Sequence, residues 1–309
     1  MIQTAPPGQQ VIRDTRAGGS RRRSQLTAYL YLLPALMIII GVVYFGVFYN
    51  AWVSTLDWNG IDPNPDQIGI ANYLKIARDP IFWASLSHIA IFGAITVTVQ
   101  MVLGLGLALV FSGPIVGRGV YKALVFIPVV LAPAAISTAF RQFLRPDGQV
   151  NDVLGAIGLG WLQHAWIADP NVALYALAGV NIFQWTGFSF ILYQAALSQI
   201  EQSHLEAAQL DGASTWQTIR HVVVPQLGPT HLTLVLTGVI GSLKTFDIVF
   251  LITGGGPGRS TEFLTTYIYK QSIMQFHVGY GAALSIVMLI LALLLTVVQT
   301  RIYKLDRED

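Results

Sequence analysis

The sequence predicts an all-α polytopic membrane protein, and three observations carry the prediction. Hydrophobic residues make up 53% of the 309 and charged residues only 11%; a soluble domain carries about 25% charged residues, so 18 basic and 16 acidic side chains cannot clothe a soluble surface of this size. Six runs are free of Asp, Glu, Lys and Arg and approach or exceed the roughly 20 residues that a helix needs to cross a hydrocarbon core about 30 Å thick. Lys and Arg are distributed unevenly between the segments that join those runs. The composition excludes an ordinary soluble enzyme and a disordered chain. A net charge of +2 leaves no cationic footprint for nucleic acid. The absence of cysteine excludes disulfides, thiolate metal sites and a Cys nucleophile.

Residues 1–27 are polar and rich in Gly, Pro and Arg, and a disordered cytoplasmic tail is expected there. The first span is expected over 28–50. Its run, 28–49, is longer than the roughly 7–15 residues of a signal-peptide core and ends in Phe48, Tyr49 and Asn50 rather than in a small-residue cleavage site. It reads as an uncleaved helix, with Trp52 and Trp58 as interfacial aromatics. Residues 51–80 form an extracytoplasmic loop. Five further runs, 81–117, 123–140, 171–200, 222–243 and 271–300, make a helical core over 81–305. Gly104 and Gly106 in the second run are expected to permit close helix packing.

Six spans put both termini on one side. With the N-terminus inside, the inner side holds Arg13, Arg16, Arg21, Arg22 and Arg23, then Arg118, Lys122 and Arg220, then Arg301, Lys304 and Arg307. The outer side holds only Lys75, Arg78, Arg141, Arg145, Arg259 and Lys270, with Lys244 near a membrane end. The excess marks the inner side as cytoplasmic.

The segment 198–224 is long for a loop and looks folded. Ser203 with Glu206 has the spacing of a capping box, and Ser214 with Gln217 repeats it. A short helix is expected from Ser203 through Leu210, stopped by Gly212 in the left-handed conformation. A second is expected from Ser214 toward His221, with Pro225 suited to the first turn of the next span. Two capped helices between spans make a rigid knob that can transmit force.

The run Glu206-Ala207-Ala208-Gln209-Leu210-Asp211-Gly212-Ala213, followed by Trp216 and Val224-Pro225, resembles the EAA loop of binding-protein-dependent ABC transporter permeases. Phe246-Asp247 with Thr253-Gly254-Gly255-Gly256-Pro257 resembles the TGGGP signature of the MalF-like permeases of the carbohydrate group. Trp185-Thr186-Gly187-Phe188 and Gly279-Tyr280-Gly281-Ala282-Ala283 are similar as well, so the likeness covers residues 70 to 305. One departure is Ile219, where the family more often carries an aromatic residue. The resemblance implies a type I importer permease of MetI-like fold in a bacterial or archaeal cytoplasmic membrane. It implies that the loop couples to a separate ATPase through Leu205, Glu206, Ala207, Ala208, Asp211 and Gly212. Glu206 also has a purely local reading, as a helix cap. The implied partners are a second homologous permease, two ATPase subunits, an extracytoplasmic solute-binding protein, a sugar and the lipid bilayer, with no nucleic acid. The chain contains no G-x-x-x-x-G-K-[ST], so no cofactor is expected here, and ATP and Mg belong to the ATPase subunits.

Polar groups inside spans usually face a bundle interior or cavity. Asn181, Gln184, Trp185 and Phe188 are spaced i, i+3, i+4, i+7 and share one helical face. Amides beside aromatic rings suit a sugar, whose hydroxyls and C–H faces they match. The alternative is interhelical hydrogen bonding that holds the bundle together. The resemblance favours a sugar path on this face and adds Gly238 and Ser242 from the fifth span. Lys244 and Asp247 are expected to pair with each other. Thr253 to Pro257 reads as a helix stop or as a flexible turn near the binding-protein face. His88, His231 and His277 lie in different spans and form no metal-ligand spacing. A stand-alone ion-driven carrier is the competing function. It should show mid-span carboxylates or an internal repeat, and only Asp247, at an edge, comes near.

Overall fold

A computed structural model describes residues 31–113 and 115–305. The tail expected over 1–27 and the first residues of the expected first span lie outside the described residues. The chain divides after Trp52 into two compact units. The described residues of the first form a single helix. It belongs to α1 (Tyr31–Val53), which contains a π-helical turn over Ile39–Tyr44 and an aromatic ladder, Phe45 to Tyr49 to Trp52.

The second unit is helical, with one short antiparallel pair, β1 (Leu56–Asp57) and β2 (Asp66–Gln67), among the described residues. Then come α2 (Ala71–Arg78) and α3 (Pro80–Val110). The start of α3 is set by Asp79, whose Oδ1 accepts from the Ile81 amide at 2.9 Å, and by Pro80 in the first turn. Gly104 lets α3 approach α7 (Ala173–Leu197): a Cβ there would sit 2.6 Å from the Ser189 Cβ. Gly106 has no neighbour within 4 Å, so the packing role expected of it does not hold.

The third run is not one straight helix. It is α4 (Arg118–Val130) and α5 (Pro133–Phe143), bent by 94°. Pro133 cannot continue an α-helical ladder and drives Ala132 extended, at ψ 132°, with Leu131 at ψ 140°. The connection to α7 carries α6 (Gln149–Ala156). After α7 come α8 (Gln202–Leu210), α9 (Thr215–Gln226) and α10 (Gly228–Lys244), the last two bent by 64°. Next are α11 (Asp247–Ile252), α12 (Leu264–Tyr269) with a π-helical turn over Lys270–Met274, and α13 (Val278–Leu305). The last span therefore starts seven residues later than its apolar run, because 271–277 is spent on that turn and a reversal at Phe276 (φ 56°).

Three described helices, α1, α3 and α13, are long and apolar enough to cross a membrane alone, and each bent pair counted as one span brings five. The sixth expected span falls on α7, which with 25 residues is about 37 Å of helix and long enough, but it is less apolar than the others. Polar residues at its middle dilute its apolar character. Those residues occupy one level of the bundle. One apolar centre gathers Phe92, Leu177, Leu243, Val249 and Phe263. Another gathers Ala108, Phe190, Tyr193, Leu227 and Leu234. On α3, α7 and α10 alike, the polar positions fall between the two.

Candidate functional site

Between the two apolar centres lies a cavity of ≈ 350 Å³. All six positions expected along the path, Asn181, Gln184, Trp185, Phe188, Gly238 and Ser242, line it. The helical spacing on α7 delivers the first four to one face, and α10 supplies the other two.

The six do different things. Asn181 accepts from Gln100 Nε2 at 2.9 Å through its Oδ1, and its carbonyl accepts from the same group at 3.1 Å. This is interhelical bonding of α3 to α7, the alternative reading of that residue. Gln184 is 1% exposed and donates to the Leu131 carbonyl at 3.5 Å, while its Oε1 has no partner. That carbonyl is free because the 94° bend removed it from a helix. Trp185 is half-open and meets Phe188 edge-on, with centroids 6.4 Å apart. Ser242 Oγ donates back to the Gly238 carbonyl at 2.9 Å. Gly238 is required by packing as well: a Cβ there would sit 2.6 Å from Val97 Cγ2 on α3.

Lys244 and Asp247 line the cavity and do not pair. The reason is local. Thr245 is extended, at ψ 121°, so Lys244 ends one helix while Asp247 starts the next, and the helical i, i+3 geometry never forms. Gln100, Thr96, Thr237 and Thr245 also line the cavity and were missed. Thr96 and Gln100, one turn apart in an otherwise apolar run, were the available signal.

The loop forms two helices with a corrected start. The N-cap of α8 is Glu201, with Ser203 inside the helix donating to the Glu201 carboxylate at 3.3 Å, so the first capping box is not made. Glu206 stays exposed and makes no cap. The stop is as expected: Gly212 has φ +78°, its amide bonds the Gln209 carbonyl and the Ala213 amide bonds that of Ala208, which together are a Schellman motif. The second box forms, with Ser214 N to Gln217 Oε1 at 2.8 Å and Gln217 N to Ser214 Oγ at 3.4 Å. Its helix does not end at His221 but runs through a π-helical turn to Gln226, with Pro225 in its last turn. Leu205 packs inward against the apolar centre that holds Tyr193 and Val223. Glu206, Ala207 and Asp211 face out, beside Leu210 at 89% and Trp216 at 68% exposure.

A folded membrane bundle with a mid-level polar cavity and this loop is matched by one family along most of its length. Residues 19–305 match the binding-protein-dependent transport system inner membrane component. The chain belongs to this family. The permease is similar to the "Probable ABC transporter permease protein" of Pyrococcus horikoshii, 34% identical over 275 residues, 88% of this chain and 94% of that one. It is also similar to the lactose transport system permease protein of Rhizobium radiobacter, 29% identical over 289 residues, 92% and 96% of the two chains. The fold resembles that in the crystal structure of a bacterial ABC transporter involved in the import of the acidic polysaccharide alginate: TM-score 0.79, 21% identity, 92% of this chain and 97% of that one. Family membership sets aside the stand-alone carrier.

At the far end of the permease from the loop, the TGGGP turn is built rather than loose. Thr253 Oγ1 meets Thr261 Oγ1 at 2.8 Å, and Thr261 Oγ1 donates to the Gly256 carbonyl at 2.6 Å. The turn closes over Glu262, which is 2% exposed, pairs with Lys270 and accepts from Thr266 at 2.6 Å. Gly255 has φ +88°, and a Cβ there would sit 2.8 Å from the Glu262 carboxylate. His88 donates to the Glu262 carbonyl at 3.0 Å. Nearby, Asp79 Oδ2 accepts from Tyr267 and Tyr280, each at 2.6 Å. Burial pushes the Asp79 carboxyl up, but the two hydroxyls and the Ile81 amide outweigh it and hold it below the ordinary carboxylate value. The segment around Tyr280 is fixed by Gly279, where a Cβ would collide with the Leu56 carbonyl at 2.0 Å.

Proposed function

We propose that this permease imports a sugar, most simply a di- or oligosaccharide, delivered by an extracytoplasmic solute-binding protein and driven by ATP hydrolysed on separate subunits. Gln184 carries the reading. Its side chain lines the cavity beside Trp185 and Phe188, and its buried Oε1 has no partner within the chain. A buried acceptor left unmade costs about 1–3 kcal/mol, and a sugar hydroxyl would remove that cost while its C–H face covers an aromatic ring. Asn181, Gln184, Trp185, Phe188, Gly238 and Ser242 form this chain's side of the path. The substrate named for the Rhizobium radiobacter relative, lactose, is of this class.

Both termini are cytoplasmic in this reading, with 1–27 as a tail, 28–50 as the first span, 51–80 outside and 81–305 as the core. Leu205, Glu206, Ala207, Ala208, Asp211 and Gly212 present the coupling loop to one of two ATPase subunits, which bind the ATP and Mg. Leu210 and Trp216, so exposed beside them, are the apolar contacts that such docking would cover. A second, homologous permease supplies the other half of the path. The experiment is uptake of radiolabelled lactose, maltose and maltopentaose by cells carrying the complete transporter. Binding-protein-dependent uptake of at least one is expected. Uptake of none, from a transporter that assembles and hydrolyses ATP, contradicts the sugar assignment.

A further inference from the structure

We propose that Tyr193 and His231 form a latch that makes the loop helices and the cavity-lining helix α7 move as one body. The bend between α9 and α10 is turned at Leu227, whose amide bonds the Val223 and Val224 carbonyls and whose carbonyl accepts from the Thr230 and His231 amides. Pro225 and Pro229 flank it and contribute no N–H of their own, so a side-chain tie across the 64° angle adds to those few backbone bonds. His231 is that tie. Its Nε2 lies 3.2 Å from the Val224 carbonyl, across the bend. Its Nδ1 lies 2.7 Å from the Tyr193 hydroxyl on α7.

The proton positions follow from the partners. A carbonyl only accepts, so Nε2 carries the proton; Nδ1 of the neutral ring is then the acceptor, and Tyr193 donates to it. All three groups are used, and the pair sits in the apolar centre with Phe190, Leu227 and Leu234, where Tyr193 is 1% exposed. The two rings meet at 5.3 Å and 63°. A second contact extends the chain outward: His204 on α8 lies 3.4 Å from Gln226 Oε1 at the end of α9. A connected route therefore runs from α8 through Gln226 and the bend to Tyr193. Nine residues further up α7, or about 13 Å, is Gln184. Nothing in the sequence pattern pairs Tyr193 with His231. They are positioning residues: neither lines the cavity, and both act through the helices they join.

The inference rests on the coupling role proposed for the loop, and its test separates the two. The chain has no cysteine, so spin labels can be placed at Gln209→Cys on α8 and Tyr175→Cys on α7, both exposed, in the complete assembled transporter. The distance between them is measured without nucleotide and after trapping with ATP, Mg and vanadate, alongside the distance from the loop label to the ATPase subunit. With the latch intact, the loop moves against the ATPase while the Gln209–Tyr175 distance stays fixed. Tyr193→Phe, which removes one hydroxyl, and His231→Leu should each add a shifted or second distance on trapping. His231→Gln retains a donor and an acceptor and should restore the single distance. A distance that changes as much in the unaltered latch as in the variants, or that stays fixed in both Tyr193→Phe and His231→Leu, overturns the proposal. A loop that does not move against the ATPase at all contradicts the coupling reading, and the latch with it.

Discussion

The two ends of the permease handle polar and small residues in opposite ways. At the TGGGP end, glycines and threonines fold over Glu262, and its carboxylate is paired with Lys270 and bonded by Thr266. At the loop end, glycine and serine stop and start two helices, yet Glu206, Leu210, Asp211 and Trp216 are left facing out. At one end the acidic group is partnered within the chain; at the other the acidic and large apolar side chains stay exposed. Similar sequence signals, Gly-rich turns next to acidic residues, thus end in a buried ion pair in one place and in an exposed surface in the other. What separates them is where the charged and large apolar side chains end up.

The comparison breaks most visibly at Glu262. Glu262→Ala leaves Lys270 half-buried without its partner, and removing one member of a buried ion pair costs about 3–5 kcal/mol. We expect little assembled transporter from this variant in detergent extracts, and a normal yield would show that the turn is not a structural keystone. Gly212→Val should do the reverse. A β-branched residue at φ +78° strains the Schellman stop, by about 1–2 kcal/mol for a left-handed non-glycine residue, in a helix that the core does not bury. Assembly should be kept and substrate-stimulated ATP hydrolysis lost; unchanged stimulation would remove the stop from the coupling account.

A smaller effect is expected at Asp79. Its pKa is depressed in the folded chain, so its contribution is present above the unfolded carboxylate value and is lost as pH falls through the lower folded one. Asp79→Asn keeps an amide oxygen for the two tyrosine hydroxyls and removes only the charge, so the cost is about 1 kcal/mol, the margin by which a bond to a charged group exceeds a neutral one. Thermal unfolding of the purified transporter should show a loss of stability on acidification that is weaker in Asp79→Asn. Equal acid sensitivity in both would mean that other carboxylates govern it.

Local pattern made much of this legible. The apolar runs fell on the long helices and the two bent pairs, the 3.6-residue period put Asn181, Gln184, Trp185 and Phe188 on one face, and Gly212 and the Ser214–Gln217 box marked helix ends. What stayed hidden was set by distant or competing contacts. The partner of Asn181 is Gln100, 81 residues away, and those of Asp79 are 188 and 201 residues away. The first helix of the loop begins at Gln202 because Glu201 leaves the helical conformation, at ψ 130°, although Ser203 is the better capping residue. Lys244 and Asp247 fail to pair because a helix break falls between them, and charge spacing alone carries no sign of such a break.

The central claim is that the mid-level face of α7 meets the sugar, and Trp185→Ala tests it most directly. Sugar uptake, basal ATP hydrolysis and the yield of assembled transporter are measured on the same preparation. Trp185 is 37% exposed and lines the cavity, so its truncation should leave yield and basal hydrolysis near those of the parent while uptake falls sharply. Uptake and yield falling in proportion would contradict the account and make Trp185 a packing residue.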